Sequence, residues 1–519
     1  MNHWIVAPIV LPAILAPFII MVLRYHLDLQ RIFSVAGVVG LLGIALTITA
    51  QAAGGDIHVY ELGNWPAPFG IVLVLDRLSA MMVLLTALLA LPIVLYAIAS
   101  GWDERGDHFH PLFQFQLMGV CGAFLTGDAF NLFVFFEVLL IASYGLMTHG
   151  GGAVRLKAGV QYVTYNLLGS TLFLFALGTI YSVTGTLNMA DLALRAAEIP
   201  PEDTALLRVG AVLLLLVFCI KAAVLPLHFW LPASYANAPL PVAALFAIMT
   251  KVGAYSILRV YTLVFGPDVP VSHGLVGDWL QPAALVTLAI GSIGILGTQH
   301  IARMVAFCAI ASMGTLLVAI SLFTEAATAA ALYYVYHSTL ATALLFLVAD
   351  LVMQRRSGAI APRPPMPQNG LIASLFFVGA IAMAGMPPLS GFIGKLLVLD
   401  AARNAPDATA IWAVVLIGSF VTIVGLARAG SLIFWKSHDA STQDDPTPEA
   451  ETAPEDADPA PPPPPEPQPG LAFTSVFGLV AGLVLLTLFA GPALDYTRAT
   501  AAQLFAPEQY ISAVLGGDD

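Results

Sequence analysis

Five titratable side chains stand inside apolar runs of this sequence: Glu137 in NLFVFFEVLL, Lys221 in VFCIKAAVLP, Lys251 in AIMTKVGAY, His337 in YYVYHSTL and Lys395 in MPPLSGFIGKLL. An acid, three amines and an imidazole among Phe, Val and Leu can take up and release protons where water is scarce. A charge at the centre of a bilayer costs about 2.5–3.5 kcal/mol even on insertion scales, so each group needs a partner or carries a proton. One such group could snorkel or make a structural hydrogen bond, as His337 alone could. Five of them on five runs repeat the desolvation cost too often for a purely structural fold.

Prolines add geometry to these groups. Pro226 leaves the carbonyl of Ala222 without its helical donor, and Pro387 and Pro388 do the same for Met383 and Ala384. A lone proline reads as a packing kink. Here two breaks fall five runs apart, each on a run with a lysine, and broken helices at membrane depth line protein or water. Paired interrupted helices in two halves point to inverted repeats with an ion site between them.

The elements that must hold these residues follow from composition. The chain has 519 residues, 59% hydrophobic and only 10% charged, with a mean hydropathy of +0.86, whereas soluble domains carry about 25% charged residues. This is an all-α polytopic membrane protein. Runs long enough to span lie near 4–23, 31–52, 78–99, 112–127, 129–147, 159–183, 206–235, 239–264, 281–298, 303–322, 328–353, 370–399, 410–436 and 470–492, giving about fourteen transmembrane helices. The first run has no small-residue cleavage site after it and is expected to stay as the first helix.

With the N-terminus outside, the inward loops collect Arg24, Arg31, Arg105, Arg155, Lys157, Arg303, Arg355, Arg356, Arg363 and Lys436, against Arg77, Arg195, Arg208, Arg403 and Arg498 outward. That bias places both termini on the outer face. The expected organisation is an N-terminal three-helix segment (1–110), a first repeat of helices 4 to 8 (111–265), a second, inverted repeat of helices 9 to 13 (280–436), and a C-terminal helix and tail (471–519). Between the last two, residues 437–470 are acidic and proline-rich and read as a cytoplasmic linker.

Other chemistry is thinly represented. Cys121, Cys219 and Cys308 lie in apolar runs without metal-ligand spacing and read as small buried side chains. No P-loop, strand-borne GxGxxG or CxxC pair occurs, and no cluster of hard oxygen ligands marks a metal site. His228 and Trp230 flank the first break, His228 as a possible proton entrance and Trp230 as an interfacial aromatic. Asp76 and Asp128, near run ends, read as solvated, and Arg259 and Arg428 as snorkelling. Ser143, Thr250 and Ser312 could hold waters, though such hydroxyls usually bond to their own helix.

The run IKAAVLPLHFWLPASYANAPLPVAALFAIMTKVGAY, with AGMPPLSGFIGK and NLFVFFE, resembles the antiporter-like subunit family shared by Mrp-type multisubunit Na⁺/H⁺ antiporters and respiratory complex I. The similarity covers about residues 70 to 436. Complex I relatives typically carry an acid and a histidine where this chain has Ala233 and Tyr235, which favours the Mrp branch. The resemblance implies that Glu137 and Lys221 are the pair on the fifth and seventh helices. It makes Lys251 the central lysine, His337 the eleventh-helix histidine and Lys395 the terminal lysine of a buried axis. Where the family often has a further lysine, this chain has Thr342, which cannot carry the charge.

Burial eases deprotonation of an ammonium and a nearby carboxylate opposes it. Making or breaking a Glu137–Lys221 pair would therefore change how readily Lys221 gives up its proton, with His337, a side chain that titrates near neutrality, as an intermediate. The resemblance implies a proton-translocating subunit that drives Na⁺ efflux, assembled with other Mrp subunits in a bacterial cell membrane. It implies contact with lipid, no cofactor, no nucleic-acid partner and no enzymatic activity. The alternatives are a proton-pumping membrane subunit of a complex I-like dehydrogenase or membrane-bound hydrogenase, and an inert scaffold. Intact acid and base sites count against the scaffold.

Overall fold

The computed structural model describes residues 3–266, 269, 271, 274–436 and 469–516. The expected linker therefore lies, but for its last two residues, outside the described residues. The chain opens with α1 (Ala7–Val22), α2 (Leu27–Ala52) and α3 (Arg77–Ala99). It continues through α4 (Phe109–Leu125), α5 (Ala129–Thr148), α6 (Ala153–Thr184), α7 (Met189–Glu198), α8 (Ala205–Lys221), α9 (Trp230–Asn237), α10 (Leu240–Leu245) and α11 (Ala247–Leu263). Then come α12 (Gln281–Gly297), α13 (Ile301–Ser321), α14 (Glu325–Met353), α15 (Asn369–Ala384), α16 (Ser390–Ala401) and α17 (Ala408–Gly430), and finally α18 (Pro469–Leu488), α19 (Ala490–Leu504) and α20 (Pro507–Leu515).

Each expected run falls on one helix or on a broken or abutting pair. Among the described residues ten helical stretches are long and apolar enough to cross a membrane, and α1, α4 and α15 are shorter apolar helices. The seventh run divides into α8 and α9 around Pro226, and the twelfth into α15 and α16 around Pro387 and Pro388. Helices α10, α11, α13 and α14 are buried nearly end to end, whereas α2, α6, α17 and α18 turn apolar sides outward, as surfaces facing lipid or another subunit do.

Two features depart from the sequence reading. Between α2 and α3 stands an antiparallel hairpin, β1 (His58–Glu61) and β2 (Val72–Leu75), with His58 opposite Leu75. Strands of four residues are too short for periodicity to tell from helix. The tail after α18 is also folded into α19 and α20, whose Tyr510 and Val514 are buried.

Helix α3 separates two faces by 23 residues, about 35 Å. The hairpin face holds β1–β2, Asp76, and the turn Thr126–Asp128, which pairs with Leu73 and Asn188. His3 beside Tyr60 and Tyr510 beside Arg259 bring both described ends of the chain to this face. The opposite, arginine face holds Trp102, Arg105, Arg155 and the segment after α14, where His300 pairs with Ala359. The α4–α5 and α12–α13 turns are thus built alike on opposite faces. Their packing also recurs at a fixed offset: Gly122 meets Phe135 as Gly294 meets Phe307, and Gly119 meets Leu139 as Gly291 meets Ala311.

Candidate ion-translocation site

All five titratable groups lie near mid-depth between the two faces. Glu137 sits in the middle of α5, Lys221 ends α8 at the break, Lys251 is in the first half of α11, His337 is near the centre of α14 and Lys395 is on α16 just past the second break. Lys221, Lys251, His337 and Lys395 are all buried; Glu137 is half-buried.

The second break gives the clearest geometry. Lys395 Nζ donates to the carbonyl of Ala384 at 2.8 Å, to that of Met383 at 3.5 Å, and to Ser419 Oγ at 2.9 Å. Those two carbonyls are the ones Pro387 and Pro388 release, so the break builds a cradle for an ammonium. Glycine makes the close approach possible. A Cβ on Gly391 would lie 2.1 Å from the carbonyl oxygen of Ala382 and 2.8 Å from His337 Cε1. Gly385, at φ +78°, ends α15 in the left-handed region that favours glycine. His337 Nδ1 is 3.0 Å from Ser390 Oγ at the start of α16, and its Nε2 has no partner.

At the first break the arrangement differs. Lys221 Nζ donates to Asn166 Oδ1 at 2.9 Å, beside a pocket with room for about one water. The Glu137–Lys221 ion pair is not made in this structure: Glu137 Oε1 has no partner, and Asn166 takes the bond in its place. Glu137 shares its stripe of α5 with the exposed Phe130, Val134 and Ile141. Trp230 is buried, not interfacial, and its Nε1 donates 3.0 Å to the carbonyl of Ile220, closing the broken end of α8. His228 is buried with Nδ1 unpartnered and lines a cavity of about 430 Å³ with Arg303. Lys251 Nζ has Met313 Sδ at 3.3 Å. Gly253, close by on the same helix, lets α11 press against Lys221, since a Cβ there would stand 3.0 Å from Lys221 Cβ.

Several side-chain readings need correction. Asp76 and Arg259 are neither solvated nor snorkelling: both are buried and Arg259 Nη1 stands 2.6 Å from Asp76 Oδ2. Asp128 is buried and caps α5 through the Asn131 N–H at 2.8 Å. Arg428 donates to the carbonyl of Thr298 at 2.9 Å. Thr250, Ser312 and Ser143 bond to their own helices, as such hydroxyls are expected to, and Ser143 also reaches Tyr162. Thr342 Oγ1 is buried without a partner. Sequence reasoning misses Asn166, Ser419 and Asp350, although Asp350 carries the same signal as Glu137, an acid inside an apolar run.

Broken helices that hold buried lysines on released backbone and amide oxygens define a class of polytopic proteins that handle cations within the membrane. The chain belongs to the NADH:quinone oxidoreductase/Mrp antiporter transmembrane family, whose profile matches residues 126–423. It is 38% identical to the D-type subunit of a probable K⁺/H⁺ antiporter of Rhizobium meliloti, over 99% of this chain and 98% of that one. It is 37% identical to the D-type subunit of the Na⁺/H⁺ antiporter of Alkalihalophilus pseudofirmus, over 99% and 100%. A chain in the solved Mrp complex of Dietzia sp. superposes with a TM-score of 0.85 at 29% identity, covering 99% of this chain and all of that one.

Proposed function

We propose that the chain is the proton-translocating subunit of a multisubunit monovalent cation/proton antiporter, a transporter component and not an enzyme. It works with other Mrp subunits in a bacterial cell membrane, moving protons along Glu137, Lys221, Lys251, His337 and Lys395 to drive Na⁺ out. One observation carries the reading: among the described residues no carboxylate is in ion-pair contact with Lys221, Lys251 or Lys395, although all three are buried. An unpaired buried ammonium is costly and is readily relieved by giving up its proton. Asn166, the Ala384 carbonyl and Ser419 can accept from the charged form; Met313 offers Lys251 only a weak acceptor.

The two halves, 111–265 and 280–436, work as inverted repeats whose breaks meet the axis from opposite faces. Making the Glu137–Lys221 contact, absent here, holds the proton on Lys221; breaking it in favour of Asn166 releases the proton. His228 and its cavity form one water-filled approach. The arginine face is cytoplasmic, so both termini lie outside. The exposed stripe around Glu137 is covered by a neighbouring subunit.

The test is cation-dependent dissipation of ΔpH in everted vesicles from an antiporter-deficient host carrying the whole complex. Lys395→Ala is expected to lower Na⁺-driven proton movement at least tenfold with the complex still assembled. Acidification on adding a reduced electron donor, with no response to Na⁺ or K⁺, would instead identify a redox pump.

A further inference from the structure

A buried acid outside the axis stands at the base of a large opening on the arginine face. Asp350, three residues from the end of α14, is 2% exposed. Tyr96 Oη donates to its Oδ2 at 2.9 Å, Trp102 Nε1 to both oxygens at 3.1 and 3.2 Å, and Gln354 Nε2 to Oδ2. With Gln354 and Trp102 it lines a cavity of about 720 Å³ that also takes in Arg105, Arg155 and Asn237. Both guanidiniums lie over the Trp102 ring, at 3.8 Å for Arg105 and 5.3 Å for Arg155.

Three features of this cluster bear on what it handles. First, every protein group on the carboxylate donates, and the indole N–H has no acceptor capacity at all. A monovalent metal ion needs several oxygens turned towards it, so the coordination shell it would require is missing from this arrangement. Second, two guanidiniums line the same cavity, and fixed positive charge at a mouth raises the barrier to any free cation, hydronium included. A proton can instead pass along water and end as a covalent O–H on the carboxylate. Third, the cluster suits both protonation states. Gln354 Oε1 is buried without a partner while its Nε2 serves the carboxylate. Rotating the amide presents that oxygen to a protonated Asp350, whose O–H then donates to it. Deeper on α14, Thr342 Oγ1 is the next unpartnered polar atom towards the axis, about 12 Å along the helix.

We propose that Asp350 is the proton-exchange group of an arginine-face mouth that admits protons and not metal cations. A proton from cavity water adds to the Asp350 carboxylate as the Gln354 amide turns, and leaves from it towards α14 as the amide turns back. This inference rests on the reading of the chain as the proton-translocating subunit, and it puts the metal cation on another path.

The test uses the assembled complex in everted vesicles, with ΔpH dissipation measured across a range of Na⁺ and K⁺ concentrations. Asp350→Asn, which keeps the shape but cannot ionise and sets an N–H donor where one acceptor oxygen stood, is expected to lower maximal turnover at least tenfold and leave the half-saturating cation concentration unchanged. Parental turnover, or a raised half-saturating concentration with turnover retained, would overturn the proposal; the second result would mark a cation site. Lys395→Ala is run in parallel. Loss there with full activity in Asp350→Asn defeats this inference alone, whereas full activity in both defeats the function it rests on. Should Asp350→Asn fail to assemble, Ala153→Cys at the exposed rim of the cavity decides. A bulky membrane-impermeant thiosulfonate is expected to cut its turnover at least fivefold, reversibly with reductant, and to spare the parent. Unchanged turnover after full modification would overturn the proposal.

Discussion

Asp76 and Arg259 meet across 183 positions of sequence in a two-pronged contact, Nη1 to Oδ2 at 2.6 Å and Nη2 to Oδ1 at 2.8 Å, with both side chains almost wholly buried. Burial alone would raise the Asp76 carboxyl, but the Arg259 charge, its hydrogen bond and the bonds from Ser79 outweigh it and hold the acid below its ordinary value. A group lowered on folding contributes stability above its unfolded value of about 3.9, and that contribution is lost as pH falls through the lower folded value. Asp76→Asn leaves a buried guanidinium without its counter-charge and is expected to cost about 3–5 kcal/mol. Thermal unfolding of the detergent-solubilised complex checks both points. The melting temperature should drop in the variant at pH 7, and acidification towards pH 3 should destabilise the parent more than the variant. Position along an apolar run reads as depth, which is why Lys221, Lys251, His337 and Lys395 are legible as buried groups. Neighbours are not so encoded. Asp76 and Arg259 stand near run ends and look wet on paper, and nothing in the run holding Asn166 announces that it takes the bond expected of Glu137.

Helix packing in the two halves depends on glycine where backbones cross. A Cβ on Gly291 would lie 2.5 Å from Ala311 N, and one on Gly119 would lie 2.6 Å from Leu139 N. Backbone cannot rotate away as a side-chain tip can. In an isolated helix Gly→Ala is stabilising by about 1 kcal/mol, so the sign of the effect separates propensity from packing. Gly291→Ala is expected to destabilise the solubilised complex by about 1–3 kcal/mol. Gly43→Ala in α2, where nothing lies within 4 Å of the added methyl, should be neutral or stabilising. Melting temperatures of the two variants against the parent measure the difference. The breaks themselves are readable from Pro226, Pro387 and Pro388, because a missing donor is a local fact. The repeated Gly–Phe and Gly–backbone contacts are in the sequence too, but small residues are common in membrane helices and only the paired partners show which ones matter.

At the scale of the whole molecule, the C-terminal helices fasten the hairpin face. Gln503 accepts from the Arg77 N–H at 3.1 Å and donates to the carbonyl of Gly55 at 2.9 Å, while Tyr496 Oη donates to the carbonyl of Arg77 at 3.1 Å. Helix α19 thus ties the end of α2 to the start of α3. Beyond it, the Tyr510 ring lies 5.2 Å from the Arg259 guanidinium and closes the Asp76 pair from solvent. Its hydroxyl has no partner, so the ring and not the oxygen does the covering. That separates two substitutions at one position. Tyr510→Phe removes an unsatisfied buried hydroxyl and should leave stability equal or slightly higher. Tyr510→Ala removes the ring, opens a cavity over the ion pair and is expected to cost about 3–5 kcal/mol. The loss should be smaller when Asp76→Asn is already present, since the pair that the ring shields is then broken. A double-variant cycle on the melting temperature of the solubilised complex reads that coupling, and strict additivity would mean that the tail packs on this face without protecting the pair beneath it.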